Sequence, residues 1–143
     1  HPAHTRGPAP AVPRLWIGAS QGTLGERFGI WRDTIKSLAK CPNVYVKAGG
    51  LPMPFAGWKM RMAEPDPTSE TLAKQWKPYL ETVIEAFGAE RCMFESNFPV
   101  DRFGCDYVSL WNAFKRVAAN YSPGEKTALF SGTAKKVYRV NLN

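Results

Sequence analysis

Between Phe28 and Phe94 the apolar residues switch from helical spacing to short strand-like runs and back, and this alternation restricts the fold more than any other feature of the chain. Phe28, Trp31, Ile35 and Leu38 fall on one face of a helix. Pro42 stops that helix. Asn43-Val44-Tyr45-Val46-Lys47 then reads as a strand, ended by Gly49-Gly50. Leu72, Trp76, Leu80, Val83, Ile84 and Phe87 restore the helical stripe. Thr68 or Ser69 is placed to cap it, Pro78 to kink it or divide it, and Gly88 to close it. Arg91-Cys92-Met93-Phe94 is a second short strand. Strands that alternate with helices imply βαβ units and a parallel sheet.

The remaining segments extend this pattern. Tyr107, Leu110, Trp111, Phe114, Val117 and Ala118 mark another helix face. Ser122-Pro123-Gly124-Glu125 combines a capping serine, a proline at the first helical position and a glutamate at the third, a strong helix start. That helix is read as ending at Gly132, with Thr133 capping a last helix through Ala134, Val137 and Tyr138. Residues 1–27 are rich in Pro and Gly and read as loop, with extended pieces around Ala3-His4 and Leu15-Trp16-Ile17. The chain is thus one domain over 1–143, loop-rich to residue 27 and built of βα units and helices from 28 onward.

Chemistry is expected where the second strand ends. In α/β proteins the carboxyl ends of strands collect ligands and catalytic groups. Here Phe94 runs into Glu95-Ser96-Asn97-Phe98-Pro99-Val100-Asp101. Glu95 and Asp101 can share general acid and base work if their surroundings separate their pKa values; the competing reading pairs Asp101 with Arg102 or a neighbouring helix. Asn97 orients a substrate oxygen, or is a turn residue bonded to its own backbone. Lys47 closes the first strand, where it either binds a substrate carboxylate or faces solvent. Arg6 offers bidentate pairing to an acidic substrate. Trp58 lies in the Met- and Pro-rich loop after the first strand, where it can cover a ligand. The other tryptophans sit at helix-face spacing and read as core.

The net charge of +7 raises the question of a nucleic-acid partner. The Lys and Arg residues are scattered, and the Lys135-Lys136 pair with Arg139 lies at a helix end, where cations suit the dipole. A nucleic-acid partner is therefore not expected. The three cysteines are an odd number without a CxxC pair, which argues against a disulfide framework or a zinc knuckle. No apolar run approaches the roughly 18–20 residues that span a bilayer. With no signal segment recognised, a cytoplasmic protein without a membrane partner is the expectation.

Two runs resemble a known family: Lys40-Cys41-Pro42-Asn43-Val44-Tyr45-Val46-Lys47-Ala48-Gly49-Gly50-Leu51, and Ala86-Phe87-Gly88-Ala89-Glu90-Arg91-Cys92-Met93-Phe94-Glu95-Ser96-Asn97-Phe98-Pro99-Val100-Asp101. They are similar to the C-terminal part of the amidohydrolase-related TIM-barrel hydrolases, which include 2-pyrone-4,6-dicarboxylate lactonase and sugar lactonases. His4-Thr5-Arg6-Gly7-Pro8 and Glu125–Ala134 resemble further segments of that family. The resemblance implies the C-terminal portion of a (β/α)₈ TIM barrel, about three βα units plus C-terminal helices, since a whole barrel takes about 250 residues and eight strands.

It also implies a hydrolase acting on a lactone or cyclic ester of a small acid or sugar acid. His4 becomes a candidate ligand for substrate or metal, against the plain reading of an unstructured N-terminal histidine. Many relatives carry Asp where this chain has Asn97, and the family's His-x-His pair is absent. A divalent metal, zinc or manganese, is thus possible by family but not supported by a ligand set here. Three strands cannot close a barrel. The chain is expected to associate with itself or with a missing N-terminal barrel portion. The alternative is a catalytically incompetent partial barrel that only binds or assembles.

Overall fold

The computed structural model describes residues 24–52 and 65–140. The elements run α1 (Leu24–Ala39), β1 (Val46–Ala48), α2 (Ser69–Phe87), β2 (Cys92–Phe94), α3 (Tyr107–Val117), α4 (Pro123–Thr127) and α5 (Thr133–Tyr138). The strands pair in parallel with Val46 beside Cys92, Lys47 beside Met93 and Ala48 beside Phe94. The expected βαβ unit is therefore present. Only two strands lie among the described residues, and the extended pieces expected before residue 24 lie outside them. The first strand also starts three residues later than its apolar run suggested, because Pro42 and Asn43 form a turn.

Alternation along the strands divides the sheet into two faces. Ala48, Cys92 and Phe94 turn toward the helices and join the core. Phe94 stacks on Phe114 of α3 at 4.6 Å between ring centroids and meets Phe130 edge-on at 5.0 Å. Trp76 of α2 adds to the same group, at 5.9 Å from Phe114. Lys47 and Met93, paired with each other across the ladder, belong to the opposite face.

The helix ends follow local chemistry. The Thr68 hydroxyl accepts from the Thr71 N–H at 3.3 Å, and the Gly88 N–H closes α2 on the Ile84 carbonyl at 2.8 Å, with Gly88 at φ +78°. Pro78 lies inside a single continuous α2 rather than dividing it. The capping box of α4 forms as read: the Ser122 hydroxyl accepts from the Glu125 N–H at 3.2 Å, and the Glu125 carboxylate accepts from the Ser122 N–H at 2.8 Å. Gly132 does not end the helical segment there. A π turn over Ala128–Gly132 carries the chain directly into α5. Thr133 is helical and no cap; its buried hydroxyl donates to the Ala89 carbonyl at 3.1 Å, fastening this segment to the approach to β2.

Arg91 joins the helices to the sheet. It stands in the single 3-10 turn that leads into β2. Its guanidinium donates to Phe87 O at 3.0 Å, Cys41 O at 2.9 Å and Ala39 O at 2.9 Å, and it lies over the Phe87 ring at 5.0 Å. One cation thus satisfies carbonyls at the C-terminal ends of both α1 and α2, where a positive charge suits the dipoles. Among the described residues no helix is long and apolar enough to cross a membrane.

Three bonds from one charged side chain make Arg91→Ala the most damaging single truncation outside the apolar core. We expect a loss of about 2–4 kcal/mol in chemical unfolding, with Arg91→Lys recovering less than half, because an ammonium lacks the planar fork. A loss under about 0.5 kcal/mol, the range of ordinary surface substitutions, would contradict this role.

Candidate functional site

Backbone close approach brings the two strand ends together. The Glu95 N–H bonds Ala48 O at 3.4 Å, extending the pairing one residue beyond β2. A Cβ on Gly49 would stand 2.4 Å from Glu95 O and 2.5 Å from its Cγ, so only glycine fits. One turn further on, a Cβ at Gly104 would meet Pro52 Cβ at 2.5 Å. The loops after β1 and β2 are thus locked against each other at two glycines.

Glu95 projects beside Lys47, whose Nζ lies 2.6 Å from Oε2. The Lys47 side chain is half exposed and that of Glu95 about a quarter exposed. The pair sits at the carboxyl end of the sheet, and the carboxylate raises the pKa of Lys47 by hydrogen bond and charge. Lys47 therefore both reaches the strand-end region and meets solvent; its first partner here is Glu95.

The chain then turns sharply. Asn97 takes φ +50°, in the left-handed region that asparagine tolerates better than most residues. Strand alternation therefore does not carry from Glu95 to Asn97, as a strand continuing through the turn would require. Asn97 Nδ2 donates to Asp101 Oδ1 at 2.7 Å, while the Asp101 N–H donates to Asn97 O at 3.1 Å. Asp101 is 1 % exposed, and among the described residues its Oδ2 has no hydrogen-bond partner. Burial pushes its carboxyl up to about 6, with the nearby Glu95 charge adding to the shift; the Asn97 amide and the Gly50 backbone N–H oppose it. The alternative pairing with Arg102 does not form: Arg102 bonds Asp66 at 3.2 Å.

Burial also settles two of the cysteines. Cys92 and Cys105 are fully buried with thiols pushed up to about 12 by desolvation, whereas Cys41 is exposed. Neither buried thiol can serve as a nucleophile at neutral pH.

Lys47, Glu95, Asn97 and Asp101 are therefore gathered at one end of the sheet. His4, Arg6 and Trp58 lie outside the described residues. The sequence reading missed Gly49, whose role depends on a contact 46 positions away along the chain, and missed the depth at which Asp101 is buried.

The family model for amidohydrolases matches residues 7–140. The chain belongs to the amidohydrolase family. A Sinorhizobium fredii protein called y4mH, itself uncharacterised, is 43 % identical over 113 residues, covering 79 % of this chain and 34 % of that protein. An L-fucono-1,5-lactonase of Burkholderia multivorans is 30 % identical over 111 residues, covering 77 % of this chain and 35 % of its own length. Another L-fucono-1,5-lactonase, from Burkholderia ambifaria, is 30 % identical over 139 residues, or 90 % and 43 % of the two chains.

A crystal structure of a Burkholderia multivorans amidohydrolase with bound zinc superposes with a TM-score of 0.70 at 27 % identity, covering 82 % of this chain and 39 % of that one. The chain thus spans between 34 % and 43 % of the lengths of these relatives. Its helices and small parallel sheet are those of a partial barrel.

The zinc of that neighbour raises the question of a metal here. Zinc sites take at least three nitrogen, sulfur or carboxylate ligands. Among the described residues no three His, Cys, Asp or Glu side chains group in that way. Glu95 is held by the Lys47 ammonium, and position 97 carries an amide, a poor cation ligand. The described residues do not by themselves fit a zinc ion.

Two outcomes follow from these burial relations. Asp101 has a folded pKa of about 6 against a reference of 3.8. The folded state therefore holds its proton more tightly than the unfolded state, and stability falls as pH rises from about 4 to above 6. Relative to Asp101→Asn, the wild type should lose roughly 3 kcal/mol across that window, read from unfolding curves at pH 4, 5, 6 and 7. A flat difference would show that Asp101 titrates normally. In the native protein one thiol, Cys41, should react quickly with Ellman's reagent, and the other two only on unfolding. Fast reaction of a second thiol would overturn the assigned burial.

Proposed function

We propose that this chain forms the C-terminal sector of a lactone-hydrolysing amidohydrolase, acting on a cyclic ester of a small acid or sugar acid. The observation that carries the reading is the meeting of Lys47, Glu95 and Asn97 at the carboxyl ends of two adjacent parallel strands. The lactonase names of two relatives support the substrate class.

In this reading Glu95 is the proton-transfer carboxylate. It is accessible enough to meet water, and the Lys47 ammonium stays charged beside it as the carboxylate changes state. Glu95 removes a proton from the water that attacks the lactone carbonyl. The carbon–ring-oxygen bond then breaks, and the proton passes to the departing ring oxygen. Asn97 orients a substrate oxygen, and Asp101 stands behind it. His4, Arg6 and Trp58, which lie outside the described residues, remain candidates for substrate contact.

The two strands among the described residues leave the sheet open, so the site needs further strands. They come from a longer polypeptide's N-terminal barrel portion or from a second copy of this chain. The open sheet also favours a second reading, in which this chain is a binding or assembly module without activity of its own.

Hydrolysis of simple and sugar lactones, followed by pH indicator with and without added zinc or manganese, separates the two. Activity that falls at least about 100-fold in Glu95→Gln, with unchanged unfolding, is the expected result. Light scattering should at the same time show association beyond a monomer. Association without hydrolysis under any condition would favour the second reading.

A further inference from the structure

The hydrolysis proposed above gives Glu95 the attacking water but leaves the carbonyl oxygen of the lactone without a partner. As water adds, that oxygen takes on negative charge, and donors placed to meet it supply much of the rate of such reactions. Lys47 is one such donor. Its ammonium carries three N–H bonds, and Glu95 is its ion-pair partner among the described residues, so donors are left to spare.

A second donor comes from α5. Lys136 places its Nζ over the Tyr45 ring, 5.6 Å from the centroid. Tyr45 stands two residues before Lys47, and side chains two apart on a strand share a face. The end of α5 therefore meets the approach to β1 on the Lys47 side of the sheet, away from the core. Two residues beyond Lys136, Tyr138 comes near enough to act on Lys47. Its phenol adds to the raised pKa that the Glu95 hydrogen bond and charge chiefly cause. Tyr138 is 58 % exposed, and among the described residues its hydroxyl has no hydrogen-bond partner. A ring kept for packing needs neither that exposure nor the hydroxyl.

We propose that Tyr138 is a catalytic residue of this site: its hydroxyl joins the Lys47 ammonium in holding the carbonyl oxygen of the lactone as charge develops on it. This role rests on the lactonase reading; the nearness of the phenol to Lys47 does not. The water oxygen bonds to the carbonyl carbon, its proton goes to Glu95, and the π pair moves onto the carbonyl oxygen, which accepts from both donors. When that pair returns, the ring carbon–oxygen bond breaks and the proton on Glu95 passes to the departing oxygen. Neither Lys47 nor Tyr138 loses a proton at any point.

Tyr138→Phe removes the hydroxyl alone. With δ-valerolactone as substrate, kcat should fall about 100-fold, the scale of one lost donor to an oxyanion, with KM within about twofold and an unchanged unfolding midpoint. A fall in kcat below about tenfold, or an effect confined to KM, overturns the proposal.

A second measurement needs no activity. On the full chain the lysines are dimethylated with isotope-labelled formaldehyde, and the Lys47 signal is assigned by its loss in Lys47→Arg. In Tyr138→Phe the Lys47 titration midpoint should move to lower pH, because no phenolate forms beside it. An unmoved midpoint shows that phenol and ammonium do not share a site, and overturns the proposal whatever the kinetics. If the midpoint moves but the wild type hydrolyses no lactone, the lactonase reading fails and takes the oxyanion role with it. If the wild type is active and Tyr138→Phe equally so, the role of Tyr138 fails alone.

Discussion

The three bonds from Arg91 are the constraint on which the rest of the structure depends. They gather the C-terminal ends of α1 and α2 onto the residue that precedes β2. Carbonyls at helix ends need partners, and a guanidinium with five donors can serve several at once. Because α1 leads into β1 and α2 leads into β2, fixing both helix ends at one point also fixes where each strand begins. The parallel register follows from that anchor as much as from the ladder, which is only three residues long on each side.

A correct start for the strands determines where they finish. Ala48 and Phe94 end opposite one another, so the residues that follow, Gly49 and Glu95, meet at once. The ion pair of Lys47 with Glu95 and the bond of Asn97 to Asp101 arise in this crowded zone. On the other side of the sheet Phe94 is held by Phe114 and Phe130, so the strand that carries the polar turn cannot shift without disturbing the aromatic core. Site and core are two faces of one short strand.

What the sequence disclosed and what it hid divide along contact range. Thr68, Gly88 and the Ser122–Glu125 box act within four residues of themselves, and their chemistry is written locally. The helical faces were legible because burial repeats with the helix period. The tasks of Arg91, Thr133 and Gly49 were not, since each is defined by a partner more than forty residues away. Gly132 misled for a related reason: a glycine is a good helix terminator, but a π turn and the tertiary bond of Thr133 carried the segment through. At the site, residue types marked the strand-end turn, but the burial of Asp101 and its bond to Asn97 required the folded chain.

The glycine at position 49 bears on how such a protein can change. With backbone oxygen and side-chain carbon of Glu95 both within 2.5 Å of where a methyl group would stand, the strand end tolerates no side chain there. Substitution at this point cannot reshape the strand ends by small steps; any replacement must move the backbone of the neighbouring strand. Sequence change is thereby channelled away from this point, while the strand ends stay fixed. The same tightness that aligns the polar groups closes one of the places where their surroundings could diversify.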